Sequence, residues 1–394
     1  MVEGSAFVAA PSGGMTLAQM GAEVIRFDQL GGGIDYKRWP LTEDGVSLYW
    51  NGLNRGKKSV VADLRAPEIQ SLLSELIAAS GNFLTNFPTK GWLSYEKVSE
   101  QRPDLVMVAI TGNHDGTTAV DYTINCAVGI PWITGHVDDP RPVNHSLPAW
   151  DLICGQTAAL GMVAADRYRT QTGKGQLVSL ALSDVALAAV AWRGDLSQVE
   201  LGGEERKKLG NDLYGAFGRD FLSRDGRYVM VVAITKRQWD GLLEATQTQE
   251  EVAALSQRLG LDFTDEGARF EAREELADLF TPWFQNLALK EISERLDQCG
   301  VCWGPYRTFR QMLDEDPRCS TENPMFSKID QPGVGRHLVP GSPLAFGGPI
   351  ENDRNVLKAP LLGEHTEQVL ADDLKLSSVE IGTLVDQGLI YTVS

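Results

Sequence analysis

The chain has 394 residues, 43% of them hydrophobic, and a formal net charge of −17. That length buries a core large enough for two lobes, and the acidic balance argues against general nucleic-acid binding, which needs a basic face. No apolar run reaches the ~18 residues of a membrane helix. The opening Met1-Val2-Glu3-Gly4 lacks the basic-then-apolar pattern of a secretory leader. Five cysteines (Cys126, Cys154, Cys299, Cys302 and Cys319) are odd in number and thinly spread, which suits reduced thiols and a cytoplasmic location.

Along the first half, short runs rich in β-branched and aromatic residues at 24–27, 59–63, 83–86 and 105–110 read as strands. Helical patterns at 16–19, 67–79 and 95–100 alternate with them, and such alternation implies a parallel sheet covered on both faces. The fold class is therefore α/β. A helix follows Asp151, with Leu152, Ile153, Ala159, Leu160, Val163 and Ala164 on its apolar face, and runs to about Tyr168. The turn Thr172-Gly173-Lys174-Gly175-Gln176 leads from it into a strand over 177–182.

From about Gly203 the texture changes. The charged run Glu204-Glu205-Arg206-Lys207-Lys208 and the loop Leu213-Tyr214-Gly215-Ala216-Phe217-Gly218 precede a strand over 227–234. Helical patterns follow at 237–246, 250–259, 268–280 and 290–299, so a smaller second domain is expected to end near Asp316-Pro317. The stretch 323–360 is rich in Pro and Gly and reads as irregular, before a helix entered through Leu362-Gly363-Glu364-His365-Thr366.

Several patterns bear on chemistry. Asp151 stands at the start of its helix. There it either caps the helix or serves as an ionised nucleophile favoured by the helix dipole, and position alone leaves both readings open. Cys299-Gly300-Val301-Cys302 has no second ligand pair, and no two of the five histidines have ligand spacing, so no metal site is expected. Gly31-Gly32-Gly33 lacks the dinucleotide fingerprint, and there is no G-x-S-x-G elbow. The cluster Arg55-Gly56-Lys57-Lys58, with Arg65 close by, is either a phosphate pocket or ordinary surface charge. From the residues alone the chain is a cytosolic, two-lobed α/β protein that binds a small ligand.

A set of segments resembles the family III coenzyme A transferases. They are Gly21-Ala22-Glu23-Val24-Ile25-Arg26, Asn54-Arg55-Gly56-Lys57-Lys58-Ser59, Asp63-Leu64-Arg65, Thr85-Asn86-Phe87, Arg102-Pro103-Asp104-Leu105-Val106, Asp151 with the Gly173-Lys174-Gly175-Gln176 turn, Asp225-Gly226-Arg227, Gly341-Ser342-Pro343 and Leu362-Gly363-Glu364-His365-Thr366. They occur in the family's order over nearly the whole chain. The resemblance implies a Rossmann-like large domain built from both chain ends (residues 1–200, with 323–394 returning to it), a small inserted α+β domain (201–322), and an interlocked homodimer. It also implies Asp151 as covalent nucleophile and Arg65, Asn86 and Phe87 as CoA contacts, with no cofactor beyond the CoA carried by the substrate.

Other segments set the chain apart from the usual formyl-CoA or carnitine transferase patterns: Val2 to Pro11, Asp35-Tyr36-Lys37-Arg38-Trp39-Pro40, Gly91-Trp92-Leu93-Ser94-Tyr95 and Leu213 to Asp220. The likeness implies an acyl-CoA thioester of a small dicarboxylic acid as substrate, with CoA moving between the C1 and C4 carboxylates of mesaconate (2-methylfumarate). Arg38 and Arg219 are candidates for the free carboxylate, and backbone amides around Gly215 and Gly218 for the oxyanions; a structural ion pair is the competing role for either arginine. The alternatives are an intermolecular transferase for another dicarboxylic acid and an acyl-CoA racemase. The racemase is expected to carry a histidine just before Asp121, where this chain has Val120. The family's first strand begins earlier than this chain does, so weakened stability of that strand is expected.

Overall fold

The computed structural model describes residues 1–346 and 356–393. It divides into two compact units, one of residues 1–128, 145–203 and 317–394, the other of residues 129–144 and 204–316. The elements run β1 (Val2–Gly4), α1 (Ala9–Gln19), β2 (Val24–Gln29), α2 (Leu48–Leu53), β3 (Lys57–Ala62), α3 (Pro67–Ser80), β4 (Asn82–Thr85), α4 (Tyr95–Gln101), β5 (Val106–Thr111) and α5 (Asp121–Ala127). The one-turn helix α6 (Ile130–Ile133) falls in the short stretch of the second unit. Next come α7 (Ala149–Thr172), β6 (Gln176–Ala181), α8 (Leu182–Trp192) and α9 (Asp195–Gly202).

The second unit holds β7 (Phe217–Leu222), β8 (Tyr228–Ala233), α10 (Lys236–Thr246), α11 (Gln249–Leu259), α12 (Glu266–Glu271), α13 (Arg273–Asn286), α14 (Leu289–Gln298), β9 (Cys302–Pro305) and α15 (Phe309–Glu315). Its three strands form an antiparallel sheet whose helices bury Phe217, Trp239, Phe280 and Phe284 in one core. The sequence reading leaves residues 129–144 with the first region, but they cluster with the second unit. The buried Lys208 accounts for this, because its ammonium donates to the carbonyls of Asp139 and Arg141.

The first unit resumes with β10 (Phe326–Gln331), β11 (Gly335–Pro340), α16 (Thr366–Asp372), α17 (Ser378–Asp386) and β12 (Ile390–Tyr391). Its sheet has the order β12-β3-β2-β1-β4-β5-β6, all parallel except β12, which runs antiparallel along β3. The order 3-2-1-4-5-6 is that of a doubly wound nucleotide-binding sheet, and both chain ends contribute to it. In such sheets ligands bind beyond the carboxyl ends of the strands, where the winding reverses. Here the reversal falls between β1 and β4, so the loops beginning at Ser5 and Asn86 mark that crevice.

Two expectations need correction. The helix expected at 16–19 begins at Ala9 and runs through Pro11, Ser12, Gly13 and Gly14. Poor intrinsic propensity is overridden by close packing on α7. A Cβ on Gly155 would lie 2.0 Å from Ser12 Oγ, and one on Gly13 would lie 2.9 Å from the Gly155 carbonyl. The tail read as irregular contains the β10–β11 hairpin, turned through Gly333 and Gly335 at φ 72° and 90°. Residues 347–355 of that tail lie outside the described residues.

The sheet's two faces differ. On one, Val2, Ile25, Phe27, Val60, Phe83 and Met107 pack against α3 and the C-terminal helices. On the other, beneath α1, lie the buried charges of Glu3, Arg26, Asp28 and Lys57.

Candidate active site

The first turn of α7 follows Pro148, and Asp151 is its third residue. Asp151 does not cap the helix. That role falls to Asp121, the first residue of α5, whose Oδ2 accepts the backbone N–H groups of Trp150 at 2.7 Å and Asp151 at 3.1 Å. These are two of the four donors that every helix start leaves without an internal partner. The other oxygen, Asp121 Oδ1, meets His145 Nε2 at 2.9 Å. Asn125, one turn further along α5, accepts the Trp150 indole N–H at 3.0 Å. The Tyr122 and Trp150 rings stand beside the imidazole, with centroids 6.1 and 6.2 Å away.

With the capping done by another residue, the Asp151 carboxylate is left without a hydrogen-bond partner among the described residues. Burial pushes its pKa up to about 7, the Asp121 charge adds to the rise, and Arg38 opposes it. The side chain is thus a carboxylate with raised basicity at the positive end of a 24-residue helix.

Arg38 arrives on the long loop between β2 and α2. Its guanidinium lies over the rings of Phe7, at 5.7 Å, and Tyr49, at 5.3 Å. Burial pushes the Tyr49 phenol up to about 12, with Arg38 pulling the other way and Asp151 adding to the rise. Tyr49 therefore stays a neutral hydrogen-bond donor at neutral pH. Arg38 and Tyr49 offer a cation and a hydroxyl close enough to Asp151 for the charges to be felt.

Phe7 itself is held in the left-handed region at φ 64°, uncommon for a bulky residue. The loop bearing it is clamped on both sides. Asn86 accepts from Ala6 N at 2.9 Å and donates to Ala6 O at 2.8 Å. Arg26 donates to Ser5 O at 3.1 Å, and Ser5 Oγ donates to Glu3 at 2.6 Å.

Beneath this loop lies the ionic cluster. Arg26 binds Asp28 through two bonds of 2.9 Å and Asp35 at 2.9 Å, and stacks on Trp50 at 4.3 Å. Burial works against the charge on Arg26, but Asp28, Asp35 and Glu3 overcome it and raise its pKa. Lys57 bonds Glu3 at 2.8 Å and the carbonyl of Pro11 at 2.8 Å; burial lowers it to about 8 against the pull of Glu3. Gly14 leaves the room this needs, since a Cβ there would sit 1.7 Å from Glu3 Oε2. Asp35 ties the loop carrying Arg38 to this cluster.

The remaining sequence candidates are placed as follows. Arg65 is exposed and paired with Asp63 at 3.1 Å. Phe87 packs on the apolar face of the sheet, its ring 6.0 Å from Phe27. The basic cluster does not present one surface, because Lys57 is buried, Lys58 pairs with Glu23 at 2.8 Å and Arg55 donates to the Pro340 carbonyl at 3.3 Å. In the second unit, Arg219 is held by Asp212 at 3.2 Å and Glu274 at 2.6 Å, the ion-pair role. Gly218 lies inside β7, where a Cβ would press on Leu213 at 2.8 Å, and Gly215 takes φ 83° in the preceding turn. Among the described residues no cluster of His, Cys, Asp and Glu could hold a metal, and no helix is long and apolar enough to cross a membrane.

Sequence reasoning missed Asp121, His145 and Tyr49. His145 matters for the racemase alternative, because an imidazole does stand on Asp121, although it comes from 24 residues downstream rather than from position 120. A signal for Asp121 existed, as an acidic residue opening the helix after β5, but its real work is on another helix.

The family model for CoA-transferase family III matches residues 1–366. The chain belongs to that family. It is 51% identical to the 2-methylfumaryl-CoA isomerase of Chloroflexus aurantiacus, over 99% of this chain and 96% of the relative. It is 28% identical to the succinyl-CoA–D-citramalate CoA-transferase of the same organism, over 98% of this chain and 95% of that one. A succinyl-CoA:mesaconate CoA-transferase of Haloarcula hispanica is 27% identical, over 92% of each chain. Among solved structures, a CaiB/BaiF family protein from Brucella suis matches with a TM-score of 0.76 and 25% identity, covering 94% of this chain and 97% of that one.

Proposed function

We propose that this family III CoA transferase acts as a 2-methylfumaryl-CoA isomerase, moving CoA between the C1 and C4 carboxylates of mesaconate without releasing the acid. The reading rests on the 51% identity to the Chloroflexus isomerase over almost the full length of both chains. The uncapped carboxylate of Asp151 is the observation that gives it a mechanism. Asp151 attacks the C1 thioester carbon; the C–S bond breaks, a mixed anhydride forms and CoA leaves as thiolate with the electron pair. The thiolate attacks the aspartyl carbonyl, giving an aspartyl-CoA thioester and a mesaconate dianion still in the pocket. The C4 carboxylate attacks that thioester, and the returning thiolate takes the C4 acyl carbon, freeing Asp151. No proton or water enters the balance, and four acyl displacements by groups held in the pocket replace one difficult exchange.

Arg38 serves the carboxylate that is not reacting, through a charge-assisted bond that only a cation in a half-dry pocket supplies, and Tyr49 donates beside it. Arg219, already held by two acids, is better read as structural. Arg65, Asn86 and Phe87 remain the CoA-side candidates, Asn86 by shaping the Ser5–Val8 loop. An interlocked homodimer in the cytoplasm, with no cofactor beyond substrate-borne CoA, completes the reading.

The test uses mesaconyl-C1-CoA with excess isotopically labelled free mesaconate. Unlabelled C4 thioester alone supports the intramolecular route; label in the product makes the enzyme an intermolecular transferase. A run in deuterated water with a saturated 2-methylacyl-CoA as substrate, which has the α-proton that mesaconyl-C1-CoA lacks, addresses the racemase, which the His145–Asp121 pair keeps in view. Deuterium in that substrate, without isomerisation of mesaconyl-C1-CoA, would replace our reading with that one.

A further inference from the structure

We infer that Asp121 is a positioning residue for acyl transfer: by taking the amide N–H groups of Trp150 and Asp151 it fixes the first turn of α7 and leaves the Asp151 side chain free to attack, while His145 fixes the orientation of Asp121. This inference rests on the transferase reading above, and three observations carry it.

An acid among the first residues of a helix ordinarily turns back to the exposed amides of its own first turn. At the start of α7 those amides are already taken, at 2.7 and 3.1 Å, by a carboxylate from another helix. Asp121 is itself buried and fully committed, with two amides on one oxygen and the His145 imidazole at 2.9 Å on the other. Its rotamer is therefore set from both ends, and the Trp150 indole, bonded to Asn125, locks the same turn to α5 a second time.

The arrangement also acts on charge. The groups facing Asp151 are Asp121 from α5, Arg38 from the loop after β2, Tyr49 from α2 and Cys154 on α7 itself. Of these, Asp121 is the acid that repels the Asp151 carboxylate. That repulsion disappears once Asp151 is acylated and neutral, so Asp121 favours the covalent state over the free carboxylate. The same geometry means that the Trp150 and Asp151 amides are not oxyanion donors, because they are occupied.

The experiment compares Asp121→Asn, Asp121→Ala, His145→Gln and His145→Ala with wild-type enzyme. It reads kcat, KM, the pH profile of kcat/KM, melting temperature and, by intact-protein mass spectrometry, the covalent adduct. Asp121→Asn keeps an oxygen for the amides and removes the charge; its acid limb is expected to move down by about one pH unit with little change in melting temperature. Asp121→Ala is expected to lower kcat by about 100-fold while KM stays within about threefold. His145→Ala is expected to lower kcat by about tenfold, and His145→Gln, which can still donate to Asp121, to recover most of it.

If Asp121→Ala fails to fold, the acid limb of Asp121→Asn decides alone. A limb that does not move, with Asp121→Ala (where folded) forming the adduct at the wild-type rate, would overturn the inference and leave the transferase reading standing. Wild-type enzyme that turns over without an adduct would overturn that reading and this inference with it.

Discussion

Two groups of charges in the first unit are built on opposite plans. In the cluster under α1, every carboxylate touches a cation: Glu3 meets Lys57, and Asp28 and Asp35 meet Arg26, all at 2.8–2.9 Å. At the start of α7, two acids face each other, Asp121 is spent on backbone amides and His145, and among the described residues only Arg38 opposes the charge on Asp151. The matched cluster holds loops in place, and the unmatched pair stores reactivity. Perturbed titration signals chemistry when the perturbing groups leave a nucleophile unsatisfied, and architecture when they satisfy one another.

The largest effect tests the unmatched side. Asp151→Ala is expected to lower kcat by at least about 10⁴-fold, as the loss of a covalent nucleophile does, with no loss of melting temperature. Retained turnover would remove Asp151 from the reaction. Next, the matched side: Arg26→Met strands Asp28 and Asp35 in a buried site. The expected cost is about 3–5 kcal/mol of stability, read as a lower urea midpoint at unchanged slope. A shift under about 1 kcal/mol would mean that the cluster relaxes.

Smaller again, Arg38→Ala is expected to raise KM by about 10- to 100-fold, about 1.4–2.7 kcal/mol. It should also move the acid limb of kcat/KM upward, because Arg38, which lowers the Asp151 pKa, is lost. Unchanged KM would send the free carboxylate elsewhere.

The smallest effect concerns stability. The Asp151 carboxyl titrates near 7 when folded, above the 3.8 of an ordinary aspartate. Its destabilising contribution is therefore absent below about pH 4, grows between 4 and 7, and is complete above 7. Asp151→Asn should be more stable than wild type by about 1–2 kcal/mol above pH 7, after discounting for partial exposure, and equal to it near pH 4. Equal stability across that range would mean that the carboxylate is better solvated than its surroundings imply.

Strands β2 to β6 were legible because they are short β-branched runs at regular spacing, whereas the three-residue β1 was not. The helical patterns of the second unit were legible by their 3.6-residue period, although the one read at 268–280 is divided between α12 and α13. Helix α1 was not legible, since Pro11, Gly13 and Gly14 oppose a helix locally and are tolerated only because α7 comes so close. The β10–β11 hairpin hid in a Gly- and Pro-rich stretch whose turn glycines resemble loop. Asp151 could be singled out at its helix start, but the residue that frees it lies 30 positions upstream and offers the amides no local clue. Lys57 looked like part of a surface basic patch; its burial depends on Glu3 and on the space over Gly14, which only the packed sheet reveals.

The most direct measurement is to run the isomerisation in the presence of hydroxylamine and map the modified peptide by mass spectrometry. An aspartyl anhydride or thioester would be intercepted to give an aspartyl hydroxamate and free CoA or acid. The account predicts a hydroxamate on Asp151 alone, appearing as activity is lost, and none in Asp151→Ala. Full turnover with an unmodified Asp151, or a hydroxamate on another carboxylate, would contradict it.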